Sequence, residues 1–109
     1  MPVFTPQQLR DDPALSPHWS AFGIMKLERG KTIRPHFHDC DEWWIITRGH
    51  ALITTEGEEH EVEEGSMVFT AMGDDHGLIE VYRDVEGVWF EGALRGRKRR
   101  GHLHHPEDD

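Results

Sequence analysis

The sequence predicts an all-β domain, a sandwich or a barrel, and three observations carry that expectation. Short runs rich in aromatic and β-branched residues follow one another from Ala21 to Leu94. Glycine-bearing turns separate them at intervals of about eight to twelve residues, the rhythm of many-stranded antiparallel folds. No window shows an apolar stripe sustained over three helical turns. At 109 residues the chain is one domain with one core, burying about two-thirds of the surface that its unfolded form exposes. It divides into an N-terminal arm over 1–20, a β-barrel over 21–94 and a tail over 95–109 that is basic and then acidic.

Taken in order, Pro2, Pro6, Pro13 and Pro17 give the first segment the character of an extended arm laid over the body, anchored by Phe4 and Trp19. Within it, Thr5 before Pro6 predicts a short capped helical turn, because proline is pre-organised for the first helical position. Ala21–Glu28 reads as a strand with Phe22, Ile24 and Lys26 on one face. Gly30 and Pro35 mark a turn. Glu42–Arg48 is the next strand, stopped by Gly49. Ala51–Thr55 and Glu59–Glu63 flank Glu56-Gly57-Glu58 as a hairpin. Glu64-Gly65 then leads into Ser66–Ala71, Gly73-Asp74-Asp75 into His76–Arg83, and Val85-Glu86-Gly87 into Val88–Leu94.

Composition narrows the partners. The formal charge of −9, from 21 acids against 12 bases, disfavours nucleic acid and anionic membrane as main partners. The basic run Arg95–Arg100 departs from that balance and reads as a solvated tail. No apolar segment approaches the ~20 residues of a membrane span or the form of a signal peptide, so a cytoplasmic location is expected. The single cysteine, Cys40, has no internal partner, in keeping with a reducing compartment.

Chemistry concentrates between Gly30 and Gly49, GKTIRPHFHDCDEWWIITRG. On an extended chain alternate side chains point the same way, so His36 and His38 face one side together. If the bend at Asp39–Asp41 keeps that face, Glu42 rejoins them. Two imidazoles and a carboxylate make most of a mononuclear metal site. His76, later in the chain, can complete it.

The same residues resemble a known family. Gly30, His36, His38, Glu42 and Gly49 stand at the spacing of the first cupin motif. Gly65, Ala71, Gly73, His76 and Glu80 are similar to the second, with Ala71 in place of its proline and Glu80 in place of its asparagine. The resemblance implies a double-stranded β-helix, the jelly-roll or cupin barrel. It also implies one divalent ion (Fe, Mn, Zn or Ni) held by His36, His38, Glu42 and His76. Four protein ligands leave one or two positions open, the feature that separates a working metal from a structural one. A homodimer and a small-molecule ligand or substrate are implied as well.

Other residues take lesser roles. With Glu42 inward, Trp44 shares its face and becomes a candidate pocket wall with Phe69, while Trp43 faces the arm or a second subunit. Phe37 falls outside the site by the same parity. Asp41 and Glu80 are the candidate proton-handling acids, although acids in such loops as Asp39–Asp41 more often cap a turn. Cys40 reads as a small buried hydrophobe. Met25, Met67 and Met72 read as core fillers, and Arg34 and Arg48 as surface cations near the motif. His18, His50, His60, His102, His104 and His105 match no ligand position and read as solvated or hydrogen-bonded. The leading function is a metalloenzyme on a small polar organic molecule, either a dioxygenase or an isomerase or lyase of a sugar or carboxylate. The alternative is a non-catalytic binding or sensing module using the same pocket.

Overall fold

The computed structural model describes residues 3, 5–12 and 18–104. One short helix, α1 (Pro6–Asp11), precedes six strands: β1 (Trp19–Leu27), β2 (Ile33–His36), β3 (Glu42–Thr55), β4 (Glu58–Glu63), β5 (Met67–Thr70) and β6 (His76–Gly92). All pairings are antiparallel. The spatial order is β1-β6-β3-β4, with β2 also on β6 and β5 also on β3. β3 and β6 are therefore the two long staves of a jelly-roll barrel. Each serves one set of neighbours with its first half and another with its second.

Neither long strand is broken where the sequence predicts a stop. Gly49 does not end β3; it lies inside the strand at φ +99°, and a Cβ there would sit 2.2 Å from the Asp84 carbonyl oxygen. Only glycine combines that φ with that approach. The register shifts on both sides of it, and the buried parity changes from Glu42, Trp44 and Ile46 to Ala51 and Ile53. An extra residue rotates everything beyond it to the other face. Gly87 likewise does not turn the chain. It lets β6 run close to β3, where a Cβ would lie 2.3 Å from the Ile45 carbonyl oxygen.

The core comprises Met25, Trp44, Ile46, Ala51, Ile53, Val62, Val68, Leu78, Val81 and Val85, with Leu27, Ile33 and Trp89 against it. β1 buries Ala21 and Met25, while Ile24, on the face it shares with Phe22 and Lys26, is 71% exposed. Met67 and Met72 are also exposed and do not fill the core. Thr5 caps α1 with a full capping box to Gln8, and Pro6 starts the helix. Leu9 is buried against the barrel, so the capped helical turn expected within the N-terminal segment docks on β1. The expected anchor Phe4 lies outside the described residues.

Beyond the last strand the basic run is exposed along its length, and several of its side chains are also tied to the barrel. Arg100 grips the Asp39 carboxylate, with Nη2 2.6 Å from Oδ1. Arg97 Nε donates to the Asp39 carbonyl at 2.8 Å, and Leu103 forms an antiparallel bridge with Phe37. No helix among the described residues is long and apolar enough to cross a membrane.

Candidate metal centre

β2 ends on His36, its continuation carries His38, β3 opens on Glu42 and β6 opens on His76. The β-ladder brings them together, because His36 pairs with His76 in register. All four side chains are buried. His38 Nε2 lies 2.8 Å from Glu42 Oε2, and His76 Nε2 lies 3.3 Å from the same oxygen. The His36 ring centroid is 4.3 Å from that of His76 and 4.9 Å from that of His38. Two overlapping groups of ligand atoms can hold a metal ion: His38, Glu42 and His76; and His36, His38 and His102.

Second contacts orient these ligands. His36 Nδ1 lies 3.0 Å from the Arg34 carbonyl and His38 Nδ1 lies 3.2 Å from that of Gly101. In the tautomer that donates to these carbonyls, each Nε2 keeps its lone pair for a cation. Trp44, two residues along the same strand face, donates Nε1–H to Glu42 Oε1 at 2.6 Å. Glu42 Oε2 and both ring nitrogens of His76 are buried without a hydrogen-bond partner. Such groups carry the full desolvation penalty, which a divalent cation among them would remove. The donor set of three or four imidazoles and one carboxylate suits a first-row transition metal. The residues therefore fit the ion.

The electrostatics favour a neutral His36 and an ionised Glu42. Burial pushes His36 down to about 4, its hydrogen bond to Arg34 only partly opposing. Burial alone would raise Glu42, but the close imidazoles of His38 and His76 and the Trp44 N–H hold it well below the usual carboxylate range. Burial also opposes charge on His38, yet Glu42 and then Glu91 raise its pKa. Cys40 is buried and pushed up to about 12, first by desolvation and then by Glu91. It stays a thiol, in line with a packing role.

The other candidates fare differently. Trp44 lines the cleft beside the ligands. Phe69 does not: it pairs with Trp43, shares the outer face and is 51% exposed. Its ring lies 5.1 Å from that of Trp43. Trp43 meets Trp19 edge to face at 5.2 Å. Glu80 points to solvent, because a register shift opposite Leu52 and Ile53 leaves both Ile79 and Glu80 outside. Asp41 accepts from the Met72 backbone N–H at 2.8 Å and so caps a turn.

Two residues of the site carry no motif signal. Glu91, 3% exposed, faces Glu42 across the ladder; its Oε1 lies 4.0 Å from His38 Nδ1. It contacts Arg99 at 3.1 Å and accepts from Cys40 Sγ at 3.6 Å. His102 stacks on His36 with centroids 4.2 Å apart. Its distance along the chain hid it, although Glu91 could have been found from inward parity opposite Glu42. The cleft over the site encloses about 450 Å³, with Met25, Leu27, Ile33 and Trp89 as apolar wall and Arg99 and His102 at one side.

The Cupin_2 family, a cupin domain, matches residues 23–90. An uncharacterized protein of Sinorhizobium fredii, y4oW, is 40% identical over 108 residues, 95% of this chain and 45% of that protein. The dimethylsulfoniopropionate lyase DddW of Ruegeria pomeroyi is 27% identical over 64 residues, 59% of this chain and 42% of that one. The chain thus spans less than half the length of either relative. The crystal structure of the dimethylsulfoniopropionate lyase DddQ, also from Ruegeria pomeroyi, superposes with a TM-score of 0.70 at 22% identity, over 84% of this chain and 46% of that one. With the family match spanning β3, most of β6 and the four motif residues His36, His38, Glu42 and His76, this chain belongs to the cupin family.

Proposed function

We propose that this protein is a metal-dependent cupin acting on a small carboxylate, with lyase chemistry favoured over dioxygenase or isomerase chemistry. The observation that carries the reading is the buried His38–Glu42–His76 triad, with unpartnered Glu42 and His76 atoms turned toward one another. A divalent ion bound by it and His36 would supply Lewis-acid polarisation of a substrate oxygen. The chain's own residues supply the rest. Arg99, reaching the cleft beside Glu91, offers a fixed cation to a substrate carboxylate. Glu91 is the carboxylate available to take or return a proton, because burial raises its pKa while Glu42 would be occupied by the ion. The apolar wall of Met25, Leu27 and Trp89 shields that exchange from water. The dimethylsulfoniopropionate lyase named among the relatives inclines the choice toward elimination from a substituted carboxylate.

The test is metal analysis of protein purified without chelator, followed by product assays on small carboxylates that include dimethylsulfoniopropionate, with and without oxygen. One equivalent of a divalent ion and oxygen-independent product formation are expected. His38→Ala should abolish both while leaving a folded barrel. Product only with oxygen uptake would move the assignment to a dioxygenase. Tight ligand binding with no product under any metal would make it a sensor.

A further inference from the structure

We propose that His102, carried in by the C-terminal segment, is a fifth protein ligand of this metal centre. The inference rests on the metal reading above and extends it to a residue outside both cupin motifs. His102 offers a nitrogen within 4.8 Å of ligand atoms on both His36 and His38. Its ring lies 4.2 Å from His36 and 5.0 Å from His38, centroid to centroid. Four imidazoles thus crowd one end of the barrel, and His76, among them, has neither ring nitrogen hydrogen-bonded. Lone pairs gathered this way repel unless a cation lies among them.

The segment is also held in the position that delivers the ring. Arg100 clamps Asp39, the residue after His38, through its backbone N–H and its guanidinium. Arg99 reaches back to Glu91, and Leu103 exchanges both backbone hydrogen bonds with Phe37, between the two motif histidines. Gly101, at φ +81°, turns the chain between these ties and presents its carbonyl to His38 Nδ1. His102 is thus bracketed on both sides by contacts to the ligand-bearing loop. Its coordination would fill a position that four motif ligands leave for water or substrate, so a substrate must displace it or use the remaining site. The cation class is a first-row divalent ion that accepts several imidazoles.

The experiment uses the full chain, stripped of metal and reloaded with Co²⁺ as probe. The intact protein should show hyperfine-shifted proton signals from four imidazole rings. His102→Phe keeps the aromatic stack on His36 but has no donor nitrogen. It should lose one ring's signals and raise the Co²⁺ dissociation constant on the order of tenfold, the loss of one tethered ligand. Three shifted rings in the intact protein, or unchanged affinity in His102→Phe, would overturn the proposal and leave His102 as packing while the four-ligand site stands. Failure of the intact protein to bind Co²⁺ would remove both readings, and loss of binding in His38→Ala alone would keep the site itself secure.

Discussion

Glu42 and Glu91 stand directly opposite each other across β3 and β6, both buried, and their surroundings pull their acidities apart. Glu42 is held as a carboxylate, in spite of burial, by His38, His76 and Trp44. Glu91 is pushed up by burial; Arg99 opposes that only in part and the charge of Glu42 adds to it. Two facing carboxylates cannot both ionise freely in a dry site. Such divergence is how one pocket obtains an acid and a base from the same residue type.

Glu91→Ala tests the structural half of this relationship. The change removes the carboxylate that Arg99 and Cys40 contact. Because the Arg99 side chain is 33% exposed, the cost is well short of a fully buried pair, about 2 kcal/mol. Denaturant unfolding should show that loss, with metal content unchanged because Glu91 belongs to neither ligand group.

Trp44→Phe should weaken metal binding without unfolding the barrel. The indole N–H fixes Glu42 Oε1 at 2.6 Å, and phenylalanine keeps most of the volume but no donor. Loss of such an orienting partner typically costs about 10–100-fold in metal affinity. Competition against a chromogenic chelator reads it directly, and an unchanged constant would show that Glu42 is positioned by other contacts.

Gly49→Ala and Gly57→Ala form a matched pair, both at positive φ. At Gly49 the new Cβ meets the Asp84 carbonyl at 2.2 Å, whereas at Gly57 nothing lies within 4 Å. The first should cost about 3 kcal/mol or more through a forced parting of β3 and β6. The second carries only backbone strain, about 1 kcal/mol. Similar thermal shifts in the two variants would refute the bulge argument.

Glu56→Asn should stabilise the protein. Glu56 and Gly57 form a two-residue hairpin loop with φ 53° and 79°, the geometry in which Asn-Gly is preferred. A melting temperature higher by about 2–5 °C is expected. Hydrogen bonding and then repulsion from Asp74 raise the Glu56 pKa. A carboxyl raised in the folded state leaves folding unpenalised below its unfolded pKa and penalised above the raised one. The gain in Glu56→Asn should therefore be larger at neutral pH than at pH 3, as paired melts at the two pH values would show.

Much of this was legible in the residues. Period-two alternation placed His36, His38 and Glu42 on one face, and Thr5-Pro6 announced the α1 cap. Misreadings arose where alternation itself changes. Gly49 and Gly87 read as stops because a glycine that ends a strand and one that lets two strands cross look the same in one dimension. Phe69 and Glu80, candidates from their place near and within the second motif, lie outside the cleft: Phe69 shares the outer face with its partner Trp43, and a register shift beside Leu52 leaves Glu80 exposed.

What the sequence determined alone is local: which residues alternate, where helices are capped, and the spacing that allows three histidines and a glutamate to share a cation. The tertiary structure decided what arrives from far along the chain. Glu91 reaches the site by pairing with Glu42 across the barrel, and His102 reaches it because Arg100 and Leu103 fasten the C-terminal segment beside Asp39 and Phe37. Contacts between distant residues depend on register, bulges and side-chain ties, quantities that exist only once the strands have closed on one another.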